Sequence, residues 1–130
     1  MINLKNLFIV NTLVALSYGL AAFFIPAWVM SNYGLTLNAA GELMTRFYGA
    51  ELIAHGWMTW NVRNSGVSSA RSAIVSARYI GNVMRSVVAI TFILSGQSNM
   101  RGLSIAGIFT FFAIAYAYFW FIKPEKDALQ

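Results

Sequence analysis

Two stretches of the chain hold side chains able to do chemistry in surroundings that should exclude it. From Met44 to Arg63 the sequence reads MTRFYGAELIAHGWMTWNVR, which sets Arg46, Glu51 and His55 in an apolar, aromatic run long enough to cross a bilayer. Further on, SARSAIVSARYIGNVMRS carries Arg71, Arg78 and Arg85 seven residues apart, so they share one helical stripe, which Asn82 joins. Guanidinium, carboxylate and imidazole groups buried together can form ion pairs, hold an anion or relay a proton.

Other chemistries are excluded by what is missing. The only aspartate is Asp127, in the tail, so a Ser-His-Asp arrangement is unsupported, and no catalytic residue is assigned. The chain has no cysteine and one histidine, too few nitrogen and sulfur ligands for a closed zinc site, and no metal or cofactor is expected. For His55 itself three roles stay open: a proton relay, a ligand to an external cofactor, or a hydrogen-bonding tie.

Depth and direction restrict the pairs. With Asn61 as the inner end of its helix, His55 lies ~9 Å, Glu51 ~15 Å and Arg46 ~22 Å in, while Arg78 and Arg85 lie ~10 Å and ~21 Å from Arg71. Glu51 and His55, four apart, share one face, and Glu42 and Arg46 share another. The spacing predicts Glu51 against Arg85 or Arg78, His55 near Arg78, and Glu42 with Arg46 as an outer i,i+4 pair. The inner polar cluster is Glu51, His55, Arg78, Asn82 and Arg85; counting Arg46, Arg78 and Arg85 against Glu51, with Glu42 near the boundary, leaves surplus positive charge, fitting an anionic lipid, a carboxylate ligand or an acidic group of a partner.

The elements that must position these groups are membrane helices. Of 130 residues, 58% are hydrophobic and 10% charged, far from the quarter or so expected of a soluble domain. Apolar runs predict helices over about 7–24, 40–60, 70–94 and 103–122, with a short interfacial segment over about 26–33 after the break at Pro26. The expected fold is one all-α domain spanning 1–130, an integral membrane four-helix bundle. Asn38 suits the N-cap of the second long helix, with Glu42 in the following turn.

Lys5, Arg63, Arg71, Lys123 and Lys126 fall on one side of four crossings, which predicts cytoplasmic termini. The net charge of +5 is spread over helix ends and interiors instead of a run, so no nucleic-acid partner is expected. Ala73, Ala77 and Gly81 recur every four residues, a spacing that lets helices approach closely within the chain or between copies.

The Tyr33-Gly34 pair, followed by Arg46 and Gly49-Ala50, resembles small bacterial four-helix integral membrane proteins classed as a domain of unknown function. That resemblance implies four crossings of a bacterial inner membrane and no activity. The function expected is that of a non-catalytic accessory or scaffold subunit, packing with another membrane protein or itself and able to bind an anionic lipid. The alternative is a small proton- or anion-coupled transporter or channel using Glu51, His55 and Arg85.

Overall fold

The computed structural model describes residues 3–124. Lys126 and Asp127 lie outside them. The described chain is all-helical, with no strand: α1 (Leu4–Phe24), α2 (Pro26–Ser31), α3 (Ala39–Val62), α4 (Ser69–Leu94) and α5 (Gly102–Ala117), the last continuing as a π-helical turn over Tyr118–Ile122.

Local chemistry sets the ends. Asn3, Asn38 and Ser68 are extended residues whose side-chain oxygens accept from the backbone N–H groups of Asn6, Gly41 and Arg71, so each satisfies a donor that the first turn leaves free. The cap at Asn3 starts α1 at Leu4, ahead of the apolar run itself. Pro26 sits at the start of α2, where no N–H is needed. Gly34 and Gly96, at φ 78° and 71°, end α2 and α4 in the left-handed conformation. Each is followed by a residue whose N–H returns to the helix, Leu35 to Met30 and Gln97 to Phe92.

α1, α4 and the segment Gly102–Ile122 are long and apolar enough to cross a membrane. α3 is as long, about 36 Å at 1.5 Å per residue, but Glu42, Arg46, Glu51 and His55 make it less apolar.

The helices associate as two pairs, α1 with α3 and α4 with α5, whereas α3 and α4, neighbours in sequence, barely touch through their backbones. In the first pair Thr12, Ala15, Gly19 and Ala22 are buried on α1, and Thr45, Gly49, Leu52, Gly56 and Thr59 on α3. A Cβ on Gly49 would lie 2.6 Å from the Phe23 nitrogen and 2.7 Å from the Gly19 oxygen, so the two backbones are in contact. Thr12 and Thr59 hydroxyls meet at 2.8 Å inside this seam.

Within the chain, Ala73, Ala77 and Gly81 do not form such a seam. Ala73 and Ala77 are exposed and Gly81 is half-buried. α4 turns Arg71, Val75, Arg78, Asn82 and Ser86 inward instead. Ala77 and Ala73 lie about 100° and 140° around the helix from Arg78, off that stripe.

Large side chains join the pairs. Leu4, Leu7 and Phe8 of α1 pack with Val75 of α4 and with Phe112, Tyr116 and Phe119, and Val62 and Ile74 flank this cluster. It therefore gathers the α1 start, the α3 end, the α4 start and the α5 end, along with Lys5, Arg63, Arg71 and Lys123. At the opposite end Asn99 donates from Nδ2 to the Asn32 carbonyl (2.9 Å) and from its backbone N–H to that of Tyr33 (3.0 Å).

Candidate functional site

The inward stripe of α4 builds a buried polar seam. Arg78 is 3% exposed. Its Nε donates to Asn11 Oδ1 at 3.0 Å, and its Nη2 donates to the same oxygen. Asn82 Nδ2 donates to the Arg78 carbonyl (2.7 Å), Ser86 Oγ to the Asn82 carbonyl (2.8 Å), and Thr110 Oγ1 to Ser86 Oγ (3.3 Å). Every one of these partners is neutral. The Tyr116 hydroxyl lies beside the Arg78 guanidinium as a further neutral neighbour, and Arg78 Nη1 has no hydrogen bond of good geometry. A desolvated cation is costly without a counter-charge, and Arg78 has only part of its donor set met.

Two turns along, Arg85 faces the same interior. Its guanidinium carbon lies 5.8 Å from the Tyr48 ring centroid and 6.0 Å from that of Phe109, within cation–π range. Gly81 makes room for it: a Cβ there would sit 3.3 Å from Arg85 Nη1. Gly81 therefore serves an arginine of its own helix. Among the described residues no carboxylate comes within 4 Å of Arg78 or Arg85.

Beside Arg85 a cavity of about 400 Å³ opens between the helix pairs, walled by residues that include Tyr18, Tyr48, Met84, Val88, Phe92 and Phe109. A smaller void of about 60 Å³ reaches Asn11, Arg78 and Asn82. The two share Tyr18, Tyr33, Arg85, Ile105 and Phe109 as walls, so they lie side by side.

The acidic residues lie elsewhere. Glu51 was expected against Arg85 or Arg78; its carboxylate pairs instead with His55 of its own helix, Oε1 to Nε2 at 3.2 Å, and 61% of its side chain is exposed. The reason is rotational. α3 gives Gly49 to α1, and Glu51, two residues on, points about 200° away from that contact. Arg78 hydrogen-bonds Asn11 of α1, and His55 of α3 lies near enough to feel its charge without bonding to it. His55 is 28% exposed and its Nδ1 has no hydrogen-bond partner.

Arg46 Nη2 lies 2.7 Å from Glu42 Oε1, and its Nη1 donates to the Phe23 carbonyl at 2.6 Å. It thus satisfies one of the carbonyls left free at the C-terminal end of α1.

A family model described as Domain of unknown function (DUF8292) matches residues 1–123. The chain belongs to the DUF8292 family. A family of unknown function is what Tyr33-Gly34, Arg46 and Gly49-Ala50 led us to expect. No curated protein and no solved structure matches the chain. For this DUF8292 member, function has to be read from the geometry.

Several residues of the site escape sequence reasoning. Asn11 is the carboxamide in the middle of an apolar run, and its polarity at that depth was the available signal. Tyr18, Tyr48 and Phe109 give no such signal, because aromatic residues are common in membrane helices wherever they point.

Proposed function

We propose that this is a small non-catalytic integral membrane protein of a bacterial inner membrane, an accessory or scaffold subunit that packs against another membrane protein or a second copy of itself. In this reading α3 crosses as α1, α4 and α5 do, giving a four-helix bundle. The end bearing Lys5, Arg63, Arg71 and Lys123 is cytoplasmic, because basic residues near short loops are retained on that side.

The observation that carries the reading is the exposure of Glu51. It sits near the middle of α3, about 17 Å from either end, with only His55 beside it. An acidic side chain at mid-bilayer costs about 2.5–3.5 kcal/mol on insertion scales, so such groups face a protein interior or a partner. Here the interior is on the other side of the helix. A polar or basic group of a neighbouring polypeptide covering Glu51 and His55 removes that penalty and supplies binding specificity.

The chain lacks cysteine, so single cysteines report the interface cleanly. Ala54→Cys, one turn from Glu51 and exposed, should cross-link to a neighbour in native membranes, whereas Gly107→Cys on the exposed side of α5 should not. Adding Glu51→Gln should weaken the Ala54→Cys product. A chain that remains monomeric and uncross-linked in native membranes overturns the reading.

A second reading, a proton- or anion-coupled transporter, rests on the buried seam of Asn11, Arg78, Asn82, Ser86 and Thr110. It requires flux into liposomes from the purified chain alone, abolished by Arg78→Gln with assembly intact.

A further inference from the structure

Glu51 points to the outside of α3, and the arginine cavity has no part in the accessory reading. Arg85 forms part of its wall, and Arg78 lines the smaller void next to it; both guanidinium groups have only neutral partners. Arg78 is almost wholly buried and its Nη1 has no hydrogen bond of good geometry, and Arg85 is held by aromatic faces. From Arg85 outward the walls are aromatic and aliphatic: Met84, Val88, Phe92, Ile105 and Phe109. Met84 and Val88 are themselves exposed, so the cavity opens sideways between α3 and α4, the two helices whose backbones stay apart.

We propose that this cavity binds a single-chain amphiphile with one anionic head, the head at Arg85 and the hydrocarbon chain running out between α3 and α4.

Charge selects the head. An anion entering here neutralises positive charge that no carboxylate of the described chain approaches, and a guanidinium offers a planar fork to a carboxylate or phosphate. Tyr18, whose hydroxyl is buried near that of Tyr33, lines the same neck. Size selects the tail. About 400 Å³ is at the small end of ligand pockets, which run from roughly 300 to 1,000 Å³; that suits one chain, and a two-chain lipid is larger.

Position separates this ligand from lipid that merely surrounds the protein. Arg85 lies about 14 Å below the Leu94 end of α4. The head therefore sits deep and the tail leaves sideways, the reverse of a bilayer lipid.

The test uses the full chain, purified in a neutral detergent, stripped of lipid and titrated by calorimetry with oleate, oleyl phosphate, oleyl alcohol and a diacyl phosphatidylglycerol. Oleate or oleyl phosphate should bind at one per chain, and the tighter of the two identifies the head. Oleyl alcohol should bind at least about ten-fold more weakly, the scale of one lost charge-assisted hydrogen bond.

Arg85→Gln should weaken the anionic ligand by about ten- to a hundred-fold and leave the alcohol unchanged. Ile105→Trp, which fills the neck, should exclude all of them. If Arg85→Gln fails to fold, Arg85→Lys keeps the charge and removes the fork, and should lose about ten-fold. The proposal is overturned if the alcohol binds as tightly as oleate, if a folded Arg85 variant binds oleate unchanged, or if the diacyl lipid displaces oleate mole for mole. Cross-linking through Ala54→Cys reads assembly separately, so either idea can fail while the other stands.

Discussion

Along α1 and α3 the contact is made by backbone: Gly19, Gly49 and Gly56 bring the chains together, and Thr12 and Thr59 close the seam with a hydrogen bond. Along α4 and α5 it is made by side chains, with Tyr79 set edge-on to Phe121 at 5.5 Å and Ser86 reached by Thr110. Backbone contact leaves no room for a ligand or for long side chains on the shared face, so Glu51 and His55 of α3 are kept off it while the short Thr45 and Thr59 stay inside. Side-chain contact keeps the helices wider apart and admits arginines to the interior. The difference explains why the acidic and basic groups, expected to meet, are separated: each pair decides independently which of its polar residues face in.

The largest test of this contrast is Gly49→Leu. Its Cβ alone would collide with backbone atoms of α1, so the pair must separate, with a loss at or above the ~3 kcal/mol upper end of ordinary overpacking. Thermal unfolding in detergent reads it, and near-wild-type stability would deny that backbones are in contact.

Next comes Asn11→Leu, which strips Arg78 of its acceptor and should cost about 1.5–3 kcal/mol, the worth of hydrogen bonds to a charged group. Arg78→Met in that background should restore part of the loss, since a buried charge replaced together with its partner leaves nothing unpaired. A double variant no better than the single one breaks the idea of a coupled seam.

Thr12→Val should cost less, about 0.6 kcal/mol, the average for interhelical hydrogen bonds in membranes. Unfolding by a denaturing detergent, compared with Thr59→Val and the double variant, resolves whether the two hydroxyls act as one.

The smallest effect is expected at Ala77→Leu. Exposed and off the inward stripe, it should change stability by no more than about 0.5 kcal/mol; a large loss in the monomer would restore Ala77 to a helix contact.

That the chain is all-helical is legible because apolar runs and caps are local properties: Asn38 precedes α3 and accepts from Gly41 as its position suggests. The inward direction of Arg78 and Asn82 is legible for the same reason, since a seven-residue repeat fixes one face whatever lies opposite. What lies opposite is not local. Placing Glu51 by depth against the α4 arginines assumed that consecutive helices pack together. The stronger instruction was the run of Thr45, Gly49, Gly56 and Thr59, which commits α3 to α1 and leaves Glu51 outside. The small residues of α4 resemble that run in spacing but lack a matching surface to receive them.

The bond from Arg46 to the Phe23 carbonyl bears on biosynthesis. α1 emerges first from the ribosome but draws a donor for its far end from a residue more than twenty positions later in the chain. Until α3 is made, that carbonyl has no Arg46 to meet it, and Glu42 and Arg46 have no settled place. The smallest piece with these groups mutually satisfied is the hairpin of α1, α2 and α3. If the helices cross a membrane as proposed above, insertion is expected to proceed by hairpins, and a chain truncated after α2 should be retained there less well than one truncated after α3.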